Sequence, residues 1–180
     1  EVKINGVLQT IVFPEPIAIS VRYSLDNLMP GLFDLIETYF DPEDQNCIEF
    51  ARYNTAAFLK ISNPDEEINA NVVTGLLLSG LLKRFESSTG AFRLSINRLI
   101  EQHKKFLQAL DKGYVVTTEF LNDTTGTDDE EFEELLNTTS EIADTKLYDV
   151  KSLKNIVEND LLKLQEISIL LRKVTPENDP

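Results

Sequence analysis

The sequence has little of what catalytic and metal sites are built from. Its 180 residues include one cysteine, one histidine, one methionine and no tryptophan. A single cysteine excludes an internal disulfide and is typical of a reducing compartment, so we expect an intracellular protein of the cytoplasm or nucleus. One histidine and one cysteine leave only carboxylates as further ligands, which suits neither structural zinc nor a redox metal. We therefore predict no metal and no cofactor.

Glycine, proline and long apolar runs are also scarce. Seven glycines and seven prolines exclude a collagen-like chain, and 42% hydrophobic residues exclude disorder over the whole length. The longest uncharged apolar stretch, residues 68–82, is shorter than the ~18 residues of a membrane span and is interrupted by polar side chains. This composition is typical of a globular domain. Because the chain begins with Glu1, we expect a fragment of a longer protein or a processed product.

Negative charge dominates, since 31 acidic residues against 17 basic ones give a formal net charge of −14. The charges are also segregated: residues 83–112 hold seven basic and three acidic side chains, whereas residues 113–149 hold eleven acidic side chains and one basic one. A strongly negative chain repels phosphate at long range, which argues against nucleic acid as a partner. The segregation favours either a contact between the two regions within one fold or binding to a partner of opposite charge.

The predicted fold class is all-α, a five- or six-helix bundle with a short N-terminal extended arm or β-hairpin over residues 1–23. Asn5–Gly6 between apolar residues is a type I′ hairpin signal, because both turn positions require positive φ. Helical periodicity extends over residues 24–174, with an acidic loop at about 121–131. Residues 175–180 are expected to form a tail.

Two similar sequences, Asp41–Pro42 and Asn63–Pro64, each predict a helix start with a capping side chain followed by proline. The helix after Asn63–Pro64 is apolar almost all round, and this pattern predicts a position at the centre of the bundle. Gly75 and Gly80 within that helix predict the close approach of a neighbouring backbone. Residues 87–90 predict its end or a kink.

A cleanly amphipathic helix is predicted over residues 91–112, with His103 in its apolar stripe as a core residue. The basic residues of this helix form a candidate contact face for an acidic protein. One alternative function is therefore peripheral binding to an anionic membrane. The candidate residues are Arg93, Arg98, Lys104 and Lys105.

The acidic segment has the composition of a calcium loop but not its spacing. Gly126 follows Asp123 by three residues, whereas an EF-hand places its glycine at the sixth position. We interpret the segment as a solvated loop or as a docking segment for a basic partner. Its candidate contact residues are Asp128, Asp129, Glu130 and Glu131.

The last helix is predicted over about 146–174, where apolar residues follow a heptad that Asp160 alone interrupts. At ~1.5 Å per residue such a seam is about 43 Å long, which is enough for a partner helix. We predict that a homo- or hetero-oligomer forms through this helix. The candidate contact residues are Leu164, Ile167 and Leu171.

The sequence contains no Gly-rich phosphate loop, no Gly-x-Ser-x-Gly, no Cys-x-x-Cys and no His-Glu-x-x-His. We therefore predict that the chain is not an enzyme. The leading hypothesis is a non-catalytic protein-interaction domain, a subunit or fragment of a larger intracellular complex that docks through helical faces and charged patches. An alternative is a helical regulator of a small GTPase that acts through an exposed arginine such as Arg52 or Arg84.

Overall fold

The structure, a computed structural model, describes residues 2–4, 7–9, 30–61, 64–123 and 142–173. This part of the chain is mostly helical. Its α-helices are α1 (Leu32–Phe40), α2 (Pro64–Ser87), α3 (Thr89–Asp111), α4 (Thr118–Asp123) and α5 (Val150–Leu171). Short 3-10 turns span Ala51–Tyr53, Thr55–Phe58 and Thr145–Leu147. The strands are β1 (Val2–Ile4), β2 (Val7–Gln9), β3 (Tyr114–Val116) and β4 (Ile142–Asp144).

The strands form two antiparallel pairs. In the first pair Ile4 lies opposite Val7, which is the strand register expected of a hairpin with the two-residue turn signal Asn5–Gly6. The second pair joins β3 to β4, two segments that no local pattern connects. Residues 121–123 of the predicted acidic loop belong to α4. The rest of that loop, most of the predicted arm and the tail lie outside the described residues.

One of the two predicted helix starts is confirmed and the other is wrong. Helix α2 begins at Pro64 as predicted, and Ser88 then caps α3 by accepting a hydrogen bond from Ala91 N at 3.2 Å. No helix starts at Asp41, which instead ends α1 in an extended conformation. Its carboxylate accepts from Glu43 N at 3.0 Å, and such a local turn competes with helix formation.

The buried apolar residues form two clusters, and both α3 and α5 run through them. The first cluster consists of Leu32, Ile36, Phe40, Ile48, Phe50, Leu81, Phe85, Phe92, Ile96, Leu99, Leu164, Ile167 and Leu171. The second consists of Ala51, Phe106, Ala109, Leu110, Val115, Val116, Phe120, Leu121, Leu153 and Val157. Four of the buried polar residues fall in the sequence between members of the two clusters, and we call them the polar layer: Arg52, Gln102, His103 and Asp160.

The prediction for α2 is corrected, because α3 and α5 run through both buried clusters whereas α2 contributes buried residues only to the first. Helix α2 turns Leu81 and Phe85 inward but leaves Val72 and Leu76 exposed, at 58% and 69% of their surface. The predicted close approach at the helix glycines is also wrong. A Cβ built on Gly75 or on Gly80 would meet no atom within 4 Å.

The predicted partner seam of the last helix is corrected as well. Leu164, Ile167 and Leu171 are fully buried in the first cluster, so they contact α1 and α3 within the chain and not an outside helix. The helix begins later than predicted, at Val150, because the Asp149 carboxylate accepts from Ser152 N at 3.3 Å and caps it there. The heptad pattern identified a core-facing stripe.

Candidate functional site

The polar layer contains two different kinds of buried charge, and the first is Asp160. One carboxylate oxygen accepts from Glu49 N at 2.9 Å and the other from Ala51 N at 3.1 Å. Phe50 between them has φ 50° and ψ 39°, a left-handed conformation that is uncommon for a bulky residue. Burial raises the pKa of the Asp160 carboxyl to about 6, although both backbone N–H groups oppose that rise. Asp160 therefore fixes the path of the 49–51 backbone.

Arg52 is the second buried charge, and its hydrogen bonding is incomplete. It is 3% exposed and its Nη2 donates to Gln102 Oε1 at 2.9 Å and to Tyr53 Oη. Neither Nε nor Nη1 has a hydrogen-bond partner within the described chain. Burial lowers the pKa of Arg52 to about 10, so the guanidinium is still charged at neutral pH.

His103 lies beside this guanidinium and is neutral. Its Nδ1–H donates to Leu99 O at 2.7 Å, while Nε2 has no partner among the described residues. Burial, together with the positive charge of Arg52, lowers the pKa of His103 to about 3. The sequence prediction of a core histidine fits this position, since the side chain is fully buried.

A chain of hydrogen bonds leads from Arg52 to the surface. Gln102 accepts from Arg52 and donates through Nε2 to Asn122 Oδ1 at 2.8 Å. The same oxygen accepts from Arg98 Nη2 at 3.4 Å. Since Gln102 must present its carbonyl to Arg52, its amide orientation is fixed, and with it that of Asn122. A buried cation and a surface cation are thus joined through two amide side chains.

This chain of bonds forms one wall of a cleft between α2 and α3. The cleft has a volume of about 240 Å³. Its lining combines leucine side chains with cations and neutral polar groups, and the described lining residues include no carboxylate: Tyr53, Leu76, Leu77, Gly80, Leu81, Arg84, Ser95, Arg98, Leu99, Gln102 and Asn122. Arg84 on the opposite wall donates through Nη1 to Ser95 Oγ. The cleft is therefore both apolar and positively charged.

The α2 side of the cleft continues into an exposed apolar surface. Val73, Leu76, Gly80 and Arg84 recur at three- and four-residue spacings, so they lie along one side of the helix. Val73 is 47% exposed and adjoins the exposed Val72 and Leu76. We call Val72, Val73 and Leu76 the apolar ridge.

The four basic residues that were predicted to form one contact face do not lie on the same face of α3. Arg98 lines the α2–α3 cleft, whereas Lys104 lines a separate groove between α3 and α5. Arg98 lies five positions after Arg93, which places the two about 140° apart around the helix. Lys105 is buried and pairs with Glu101 at 4.0 Å. The basic face proposed for membrane binding is thus corrected to two unconnected edges.

The candidate residues of the acidic segment lie outside the described residues: Asp128, Asp129, Glu130 and Glu131. The structure corrects Arg52 as an exposed arginine for a GTPase partner, because its side chain is buried behind the cleft. Arg84 is exposed and lies within the cleft wall.

Sequence reasoning missed Tyr53, Gln102 and Asn122. Tyr53 belongs to no motif, and the Asn-x-Thr pattern at Asn122 points to glycosylation and not to this contact. Only Gln102, a polar residue beside the apolar stripe of α3, gave a usable signal. In the described part of the chain no helix has the length and hydrophobicity to cross a membrane. The same residues contain no cluster of three potential metal-ligating side chains. Family models, curated proteins and solved structures were compared with this chain, and none of them matches it.

Proposed function

We propose that this chain is a non-catalytic protein-interaction domain, a helical bundle that binds an amphipathic acidic segment of a protein partner. The binding site is the cleft between α2 and α3 together with the apolar ridge. One observation carries the proposal: exposed apolar side chains border a cleft that holds two arginines and, in its described lining, no acid. Residues of both kinds are available to a partner because they face outward.

The apolar part of the surface supplies affinity. Val72, Val73 and Leu76 are each about half exposed or more, although they lie next to one another. Covering an exposed apolar side chain of this size contributes about 1.5–3 kcal/mol before the entropic costs of association. A contiguous exposed apolar surface with a polar border is typical of an interaction site.

The charged part of the surface determines which partner is selected. With a net charge of −14 the chain as a whole repels acidic molecules and attracts basic ones. Arg84 and Arg98 reverse that sign locally, and screening over ~8 Å at physiological ionic strength separates the cleft from the distant acids. An acidic partner is therefore selected at this cleft and disfavoured elsewhere on the protein.

Gly80 supports the same site. A glycine in a helix interior is about 1 kcal/mol less favourable than alanine, and here no neighbouring atom explains it. Gly80 lines the cleft, so a side chain at this position would occupy the space into which a partner inserts. The absent Cβ keeps that space open.

The test is a selection of peptides on the protein and on two matched variants. Gly80→Glu places a side chain in the cleft and an acid four residues before Arg84, where the two can pair. Gly75→Glu makes the same change of charge and helix propensity outside the cleft. A displayed library of random peptides of about 16 residues, or about 24 Å as a helix, is selected on each protein.

We expect the enriched peptides to combine leucine-like residues with aspartate or glutamate. They bind the unmodified protein and the Gly75→Glu variant and are lost on the Gly80→Glu variant. Enrichment of basic peptides only, or of peptides that do not distinguish the two variants, would overturn the proposal.

A further inference from the structure

We infer that the cleft contains a carboxylate site formed by Arg84 and Arg98, which receives one acidic side chain of the partner. Arg52 acts on this site from behind, as a positioning residue. The inference rests on the proposed function and adds to it the chemistry of the anchoring contact. A guanidinium presents five N–H donors in a plane and suits a carboxylate better than an ammonium does.

Arg98 has donor capacity to spare. Within the described chain its guanidinium makes one long hydrogen bond, at 3.4 Å to Asn122 Oδ1, and no ion pair with a carboxylate. Asn122 Oδ1 accepts from Gln102 at the shorter distance of 2.8 Å. Arg98 is thus held in place weakly, and a carboxylate in the cleft offers it stronger, charge-assisted bonds.

Arg84 faces the same space from α2. Its guanidinium donates a hydrogen bond to Ser95, a neutral group on the facing helix, which holds the guanidinium across the cleft without neutralising it. Because Arg84 and Arg98 both line the cleft, one bound carboxylate can lie between them. Two cations on different helices specify the position of the acid as well as its charge.

Arg52 adds a fixed positive charge behind the wall. Its aromatic neighbour Tyr53 lines the cleft, and the Arg52 Cζ lies 3.9 Å from the centre of that ring. Two of its donors are unpaired within the described chain, in surroundings where charges interact more strongly than in water. A carboxylate in the cleft therefore lowers the electrostatic energy of Arg52 as well as that of the two surface arginines.

The test uses the acidic peptide that is most enriched on the unmodified protein and lost on the Gly80→Glu variant. Each of its acids is changed in turn to the matching amide, and affinities are measured for the unmodified protein and for Arg84→Gln and Arg98→Gln. We expect one acid-to-amide change to weaken binding about tenfold or more. On the Arg98→Gln variant we expect the same acid-to-amide change to weaken binding by less than about twofold.

A second variant keeps the test independent of folding. Asn122 is exposed, and Asn122→Asp places a carboxylate beside Arg98 while retaining an acceptor for Gln102. We expect it to weaken the acidic peptide and to leave its amide analogue unchanged, whereas Asn122→Ser affects both peptides equally. An Asn122→Asp variant that still prefers the acid as strongly as the unmodified protein does would contradict the inference.

The role of Arg52 is measured by the ratio of the affinities for the acidic peptide and its amide analogue. Because an inactive fraction of the protein changes both apparent affinities by the same factor, it does not change this ratio. We expect Arg52→Lys to retain most of the preference and Arg52→Met to reduce it severalfold. If peptides bind and depend on Gly80 but no acid-to-amide change matters, the carboxylate site is refuted and the proposed function stands. If no peptide depends on Gly80, the proposed function itself fails.

Discussion

Asp160 and Arg52 lie in the same polar layer, and both are almost completely buried. Each oxygen of Asp160 receives a backbone N–H, whereas two donor groups of Arg52 have no partner within the described chain. A buried charge whose hydrogen bonds are complete holds the chain in one conformation. A buried charge with spare donors beside an open cleft has capacity left for a ligand.

The two sites are joined by a short piece of backbone. Asp160 holds the N–H groups on either side of Phe50, and the residues that follow, Arg52 and Tyr53, form the rear of the cleft. The left-handed conformation of Phe50 is compatible with the fold because both flanking N–H groups are bonded and its ring is buried in the first cluster. Asp160, whose hydrogen bonds are complete, thus positions Arg52, whose hydrogen bonds are incomplete.

Removing the Asp160 carboxylate tests most directly whether this buried charge stabilises the fold. Asp160→Ala leaves the N–H groups of Glu49 and Ala51 buried without an acceptor, so we expect a loss of about 3 kcal/mol in the free energy of unfolding. Urea denaturation of the full chain measures this loss. The control is Asp144→Asn, since Asp144 is exposed and accepts from Lys146 N. A loss no greater for Asp160→Ala than for Asp144→Asn would show that the buried carboxylate does not hold the 49–51 backbone.

Acid titration tests the two buried titratable groups of the layer against each other. The pKa of Asp160 is raised to about 6 in the folded protein, so the folded state binds a proton that the unfolded state lacks, and stability falls as pH rises from about 4 to 6. The pKa of His103 is lowered to about 3, so the unfolded state takes up the proton, and stability falls as pH falls below about 6.5. The two effects oppose each other between about pH 4 and 6.

Single variants separate these opposing slopes. Relative to the unmodified protein, we expect Asp160→Asn to lose stability as pH falls from about 6 to 4, by about 1 kcal/mol per pH unit, because the favourable protonation of Asp160 in the folded state is removed. His103→Leu should show the opposite slope relative to the unmodified protein as pH falls below about 6.5, because proton uptake by His103 in the unfolded state is removed. Urea denaturation at several pH values measures both slopes relative to the unmodified protein. Slopes of the same sign in the two variants would contradict the assignment of burial as the dominant cause of both pKa shifts.

Local sequence predicted the parts of the fold that neighbours along the chain determine. Pro64 starts α2, and the heptad of the last helix marks a buried stripe in which Asp160 is the polar member. The partners of Asp160 lie 111 and 109 residues away, so no local pattern indicates that its carboxylate is bonded there. The Asp41 error has the opposite origin, because a side-chain-to-backbone turn and a helix cap use the same residue types.

The candidate site was harder to predict than the fold. The sequence shows that α2 is apolar almost all round, but it does not show which side of the helix is covered. The structure leaves Val72, Val73 and Leu76 exposed. Arg98 was named as a contact residue from its charge alone. Its relation to Gln102 and Asn122 depends on the packing of α4 against α3. Sites built from several elements are not visible in the periodicity of any one of them.

The smallest expected effect on stability, and the most direct contrast with Asp160→Ala, comes from Arg52→Met. Replacing a buried cation that has no carboxylate partner removes a desolvation cost, and methionine fills a similar volume. We expect the free energy of unfolding to change by no more than about 1 kcal/mol in either direction, although the hydrogen bonds to Gln102 and Tyr53 are lost. Urea denaturation beside Arg52→Lys measures this change. A loss as large as that of Asp160→Ala would mean that Arg52, like Asp160, serves the fold, and it would remove the distinction between a complete and an incomplete buried charge.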